Sequence, residues 1–431
     1  MVYNMDEQSA KATAPAKTAG RYFSPLQIGS IAEAVPPVPL EAGVSGALAA
    51  LRAGTKRKVV PVVQDGRILG LVFRSTLEKS IASSPDRITP PDLAAFLVPP
   101  LDTVEASVAI DAVMTHSLNS DAGYDVSGED GPPWFVVLHK GAYLGVVGFN
   151  KIVDHTNTIR VRDLIQAGEI QRNLLDKSKV TDERFQVLLY NKMAHELGGD
   201  FYRVFRSGKD RYLVGCFDVA GKNISGSLAT MALGACFSAL ELLTYGGCPE
   251  EITRFINSLV RDVSPPGIFI TAVLFYVDFT TLTVTIYNCG FSPVSVFVPR
   301  GDKVAYHIIQ PSLPPLGIQD ELDLAAGRII PIRAGMRLTA YSDGLTDMTN
   351  SRRERYGEER TFALLKKFHD LPQRDLRELL EKEIAAWIGA VPGMQNAAPD
   401  IESALITIQD EVTLADDVTL VDIRFAQGLE K

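Results

Sequence analysis

Four short acidic motifs in the C-terminal half of the chain carry the residue types best suited to chemistry. In order they are Gly198-Gly199-Asp200-Phe201-Tyr202, Phe217-Asp218-Val219-Ala220-Gly221-Lys222-Asn223, Ala340-Tyr341-Ser342-Asp343-Gly344-Leu345-Thr346-Asp347 and Ala415-Asp416-Asp417-Val418-Thr419. Asp218, Asp343 and Asp416 border apolar runs of strand character (212–217, 336–340 and 420–425), where a rigid sheet can hold charges close together. Carboxylates within a few ångströms repel unless a cation sits between them. Hard oxygen ligands without His or Cys favour Mg²⁺ or Mn²⁺ over zinc. Gly198, Gly199, Gly221 and Gly344 let backbone and solvent come close to the acids. Taken singly, an Asp-Gly is a turn and an Asp before a helix is an N-cap. The ordered set of four points instead to a divalent-metal centre.

The rest of the chain must supply the frame. Its 431 residues suffice for two or three cores, and 46% hydrophobic with 22% charged residues is a globular composition. A net charge of −9, with no basic block beyond Lys56-Arg57-Lys58, argues against a nucleic-acid surface. Cys216, Cys236, Cys248 and Cys289 show no paired spacing, which predicts free thiols and a cytoplasmic protein. Residues 1–21 read as a flexible tail without the apolar stretch of a signal peptide. The apolar run 224–243 contains Ser225, Ser227, Thr230, Ser238 and Glu241, which predicts a buried helix and no membrane span.

Between residues 22 and 155 one pattern is written twice. An extended lead (35–39), a helical run (44–53), two strands (59–63 and 68–73) around Asp65-Gly66 and a helix (75–81) make the first copy. The second has a lead (97–100), a helical run (104–116), a polar insert, strands 134–138 and 143–147, and a helix (150–154). The pattern resembles a pair of cystathionine β-synthase (CBS) repeats, a resemblance that implies a regulatory module and an adenine nucleotide between the copies. The positions of the family's ribose-binding acid hold Thr76 and Lys151, and those of its preceding Ser/Thr hold Phe73 and Gly148. Dimerisation or partner docking is the alternative role. Residues 156–180 read as a linker helix with Leu164, Ile165, Ile170, Leu174 and Leu175 near one stripe. Such a helix either packs on its own domain or transmits the state of the module in front of it.

The acidic motifs, with the lead-in Ile170-Gln171 and Leu174-Leu175, Asn288-Cys289-Gly290-Phe291-Ser292-Pro293 and Pro315-Leu316-Gly317-Ile318, resemble the PPM-type metal-dependent phosphatases of the bacterial sporulation stage II protein E (SpoIIE/RsbU-type) branch. The resemblance implies an α+β fold whose residues 181–427 form an αββα sandwich. It further implies hydrolysis of a phosphoserine, on an anti-anti-sigma (STAS-type) partner, by water activated between two Mn²⁺ or Mg²⁺ ions. Asp218 would bridge the ions, with the Val219 carbonyl serving one, Asp343 and Asp416 the other, and Asp200 binding directly or through water. Asp417 would support the ligands. A homodimer is the implied assembly. No general acid is evident, since Ala220 stands where wider relatives carry His. His195 is the histidine nearest a motif, though on connecting segments that residue is ordinarily structural or solvated; metal-bound water is the alternative proton donor. Lys222 either orients phosphate or starts a helix. The alternative is a weak or inactive scaffold or ligand sensor that keeps the fold for binding.

Overall fold

The computed structural model describes residues 23–54, 57–83, 92–100, 102–119, 133–175, 180, 182–220, 224–242, 247–264, 267–301, 303–369, 371–389 and 414–428. The expected tail, most of the polar insert and Lys222 lie outside the described residues. The chain divides into two units, Met1–Val161 and Arg162–Lys431.

The first unit contains β1 (Val38–Pro39), α1 (Gly43–Arg52), β2 (Val59–Gln64), β3 (Arg67–Phe73) and α2 (Arg74–Ala82). There follow β4 (Asp102–Glu105), α3 (Ile110–Asn119), β5 (Trp134–His139), β6 (Ala142–Gly148) and α4 (Phe149–Leu175), which continues into the second unit. The two three-stranded sheets have one topology. β1 runs parallel to β2 and β2 antiparallel to β3, as β4 does to β5 and β5 to β6. Both hairpins turn through a positive-φ pair, Asp65-Gly66 and Lys140-Gly141, the geometry that matches strand twist. The leads are exchanged. Leu71 and Val98 trade N–H···O bonds of 2.8 and 2.9 Å, and Glu33 and Val146 trade bonds of 2.8 and 3.0 Å. Each sheet thus completes its edge with the segment leading into the other copy.

Two expectations need correction here. The helical run over 104–116 begins only at Ile110, because β-branched Thr103 and Val104 pair in parallel with Val136 and Val137. The final helix of the second copy and the linker are one element of 27 residues. Nothing breaks it, since no proline and no glycine occur between Phe149 and Gly168.

The second unit is built from β7 (Phe185–Lys192), β8 (Asp200–Gly208), β9 (Arg211–Val219), α5 (Ile224–Leu242), α6 (Pro249–Val263), β10 (Ile270–Asp278), β11 (Thr283–Cys289), β12 (Val294–Arg300) and β13 (Lys303–Ile309). It is completed by β14 (Arg328–Pro331), β15 (Arg337–Tyr341), α7 (Asp343–Asp347), α8 (Gly357–His369), α9 (Gln373–Ile388) and β16 (Val418–Phe425). Two antiparallel sheets form, in the orders β14-β11-β10-β9-β8 and β13-β12-β15-β16-β7. β9 shows why its sequence is apolar almost throughout. Val214 and Cys216 face the layer shared with Val294, Leu338 and Ile423 of the other sheet. Leu213 and Phe217 face Leu233, Phe237 and Ile256 of α5 and α6. Both faces are covered, so alternation of polar and apolar residues is lost. On the far side Phe297 and Leu420 pack under Leu364, Phe368, Leu376 and Leu380 of α8 and α9. The helix–sheet–sheet–helix order expected from the sequence is the order found.

α5 is long and apolar enough to cross a membrane by length and composition. Its Phe237 lies 5.4 Å from the ring of Phe217 and 5.9 Å from that of Phe201, within the core of its own sheet. On the other sheet a buried ion pair locks two strands: Arg337 Nε donates to Asp422 at 2.9 and 2.7 Å, and Thr339 Oγ1 donates to the same carboxylate at 2.7 Å. Arg337 also reaches the Phe368 carbonyl, which ties β15 to α8.

Candidate active site

The acids stand at one end of the facing sheets because strands end or begin there. Asp200 opens β8 and pairs in register with Asp218, the penultimate residue of β9, which pairs in turn with Thr271 of β10. On the facing sheet, β15 ends at Tyr341 and the chain turns into α7 at Asp343, while Asp416-Asp417 lead directly into β16. Ser342 joins these two ends. Its N–H donates to the Thr419 carbonyl at 2.8 Å, its hydroxyl accepts from the Thr419 N–H at 2.9 Å, and it donates to the Asp417 carbonyl at 3.2 Å. A Cβ on Gly344 would stand 1.9 Å from the Asp417 carbonyl oxygen, so only glycine permits this approach.

Asp218, Val219, Asp343, Asp416 and Asp417 line one pocket of about 280 Å³, together with His195, Ala220 and Thr271. Asp200 is not part of the lining; it is buried, 3% exposed, on the strand behind Asp218. Its carboxyl is held well above the usual range by burial, then by the charges of Asp218 and Asp417, against hydrogen bonds from Thr419 and Ser342. Asp218 is pushed up to about 7 by burial, then by Asp343 and Asp416, while a hydrogen bond with Asp200 pulls it back. The site concentrates negative charge where solvent is scarce.

Sequence reasoning undervalued the segment 193–199. Asp417 accepts N–H bonds from Ala194 (2.8 Å), Gly199 (2.6 Å) and Asp200 (3.3 Å), which fixes that segment across the pocket. α4 grips the other side. Gln171 is buried and donates to the Gly198 carbonyl at 2.7 Å, accepts from the Gly198 N–H at 3.0 Å and donates to Thr230 at 2.7 Å. A Cβ on Gly168 would lie 2.2 Å from the Glu196 carbonyl oxygen, so α4 touches this backbone directly. Gln171→Leu leaves both Gly198 groups buried and unpaired, at a cost of about 1–3 kcal/mol. Hydrogen exchange at Gly198 and Gly199 should rise by at least about tenfold, and unchanged exchange would contradict the role given to Gln171.

The residues suit a divalent cation. Apart from the imidazole of His195, the side-chain donors around the pocket are hard oxygens, and Asp200 Oδ2 is buried with no hydrogen-bond partner among the described residues. The acids ring the pocket rather than meet at a point. Among the described residues, no three His, Cys, Asp or Glu side chains are gathered as a ligand set. Other motif residues prove architectural. Asn288 holds a turn by accepting from the Phe291 N–H and donating to the Ser292 carbonyl, and Leu316 bridges Ile270.

Layers of helix, sheet, sheet and helix with acids at the facing strand ends define the class of protein. The chain belongs to the stage II sporulation protein E (SpoIIE) family, which matches residues 208–426. The phosphoserine phosphatase RsbP of Bacillus subtilis (strain 168) is 29% identical over 221 residues, covering 50% of this chain and 51% of RsbP. Protein IcfG of Synechocystis is 23% identical over 308 residues, covering 62% of this chain and 45% of IcfG. This chain therefore spans about half the length of the curated relatives it matches. Among solved structures, the SiaA-PP2C domain of Pseudomonas aeruginosa is 20% identical, with a TM-score of 0.48, covering 63% of this chain and 98% of that domain.

Proposed function

We propose that the second unit is a metal-dependent protein serine/threonine phosphatase. The observation that carries this reading is the shared pocket of Asp218, Asp343 and Asp416, with Asp200 paired behind Asp218. Asp218, the Val219 carbonyl, Asp343, Asp416 and Asp200 are the residues that would hold Mn²⁺ or Mg²⁺. Bound divalent ions supply an activated water and neutralise phosphoryl charge. The chain's own contribution is placement: Ser342 and Gly344 press the two acidic loops together, and Asp417 holds the 193–199 segment over them. The substrate is a phosphoserine on a signalling protein, with a STAS-type partner the reading drawn from resemblance; the name of RsbP supports the phosphoserine.

Regulation by the first unit, as a CBS-like module, is supported by its doubled topology and by α4, whose Gln171 grips Gly198. In that reading an adenine nucleotide lies between the copies, where Lys151, at the position of the family's ribose-binding acid, pairs with Glu33 at 2.9 Å. A cytoplasmic homodimer is supported by the buried thiols of Cys216 and Cys289 and by exposed apolar residues along α5, Ile224, Leu228 and Leu242. A second reading, a binding scaffold, is favoured by the absence of a gathered ligand set among the described residues.

The two separate in one assay. Full-length protein titrated with Mn²⁺ should release phosphate from a phosphoserine peptide, and excess EDTA should abolish the release. No release at any Mn²⁺ or Mg²⁺ concentration leaves only the scaffold.

A further inference from the structure

The pocket lining includes one side-chain type that the acidic motifs do not contain. Its described polar lining consists of four carboxylates (Asp218, Asp343, Asp416 and Asp417), Thr271 and one imidazole, His195. Asp218, Asp343 and Asp416, as carboxylates that would hold cations, are ionised and have no proton to give. Asp417 is committed to accepting the N–H groups of Ala194, Gly199 and Asp200. A threonine hydroxyl, no more acidic than the seryl hydroxyl being formed, gains nothing by giving up its proton. Imidazole is the side chain whose ordinary pKa suits that task. Ala220, also in the lining, has no donor on its side chain.

His195 is exposed as a side chain, yet its backbone is held on both sides. The preceding Ala194 N–H donates to Asp417 Oδ1 at 2.8 Å. The following Glu196 carbonyl is pressed against Gly168, and Gly198 is bound at both its N–H and its carbonyl by Gln171. A ring on an anchored segment can meet a substrate at a fixed place without being buried.

Resting on the phosphatase reading above, we propose that His195 is a catalytic residue that protonates the departing seryl oxygen. In this step the water oxygen bonds to phosphorus and the phosphorus–seryl oxygen bond breaks. The imidazolium N–H proton passes to the seryl oxygen and gives the free hydroxyl. The attacking water keeps one proton on the product phosphate and releases the other to solvent, from which the neutral imidazole is reprotonated. One water is consumed and no oxidant or further reactant is needed.

The test compares leaving groups in the full chain loaded with Mn²⁺. A seryl alkoxide needs a proton as it departs, whereas p-nitrophenolate leaves as the anion. His195→Gln and His195→Ala should each lower kcat on a phosphoserine peptide by about 100-fold, and on p-nitrophenyl phosphate by no more than about 2-fold. The Mn²⁺-induced rise in melting temperature should match that of the wild type, which shows that the pocket is intact. An equal fall on both substrates, or no fall on either, overturns the proposal while leaving the phosphatase reading in place. Wild-type protein inactive on both substrates removes that reading and the proposal with it.

Discussion

Asp218→Asn should abolish Mn²⁺-dependent phosphate release, by on the order of 10³-fold, and at the same time raise the melting temperature of the metal-free second unit. The two effects have one cause. The Asp218 carboxyl is pushed up to about 7, first by burial and then by Asp343 and Asp416, from the ordinary 3.8. The folded unit therefore holds a proton that the unfolded chain has already released between those two values. Stability from this group is full below about pH 4 and is lost as pH rises towards 7, by a few kcal/mol. An asparagine has nothing to ionise. At pH 8 without metal the variant should melt roughly 3–8 °C higher than the wild type, and the difference should vanish near pH 4. Calorimetry at both pH values, with and without Mn²⁺, checks the claim. A variant that gained as much from Mn²⁺ as the wild type would remove Asp218 from the metal centre.

Asp422→Ala is the second large effect, and it concerns the frame. Asp422 is fully buried and takes hydrogen bonds from Arg337 and Thr339, while Gln373 donates to its backbone carbonyl at 3.0 Å. Burial raises its carboxyl above the ordinary range, and Arg337 works against that rise. Removing the acid strands the guanidinium of Arg337, 1% exposed, in the core, and a half-removed buried pair costs about 3–5 kcal/mol. Replacing both partners with apolar residues of similar volume, Arg337→Met with Asp422→Leu, should recover most of that loss. Guanidinium melts of the full chain measure both variants. A single variant that loses less than about 1 kcal/mol would show that the pair does not lock β15 to β16.

The strands and helices were legible because their signals are local, while their stacking into layers was implied by the resemblance. Apolar runs such as 212–217, interrupted by turn residues, state the strands, and the apolar 224–243 stretch states the helix that covers them. Asp218, Asp343 and Asp416, which line one pocket, stand out in the sequence because each borders such a run. What could not be read was anything set by register or by distant approach. That Asp200 faces Asp218 depends on the β8–β9 pairing. The grip of Gln171 on Gly198 spans 27 positions and has no periodic signature. Val104 and Glu105 fall inside the expected helical run because the parallel partner that makes them a strand lies beyond a long polar insert. Continuity of α4 crosses the expected boundary between the repeat helix (150–154) and the linker helix (156–180), because no proline or glycine stops the backbone before Gly168.

The traded leads of the first unit carry a consequence for how such a module can be divided. Glu33 completes the rim of β6 and Val98 that of β3, so neither copy owns all the backbone that finishes it. Excising one copy along its apparent repeat boundary would strip the survivor of a neighbour and leave an edge N–H and carbonyl unpaired, an invitation to sticky self-pairing. Inheritance, loss or transplantation of these repeats should therefore proceed by the couple, as with two cogs cut to mesh.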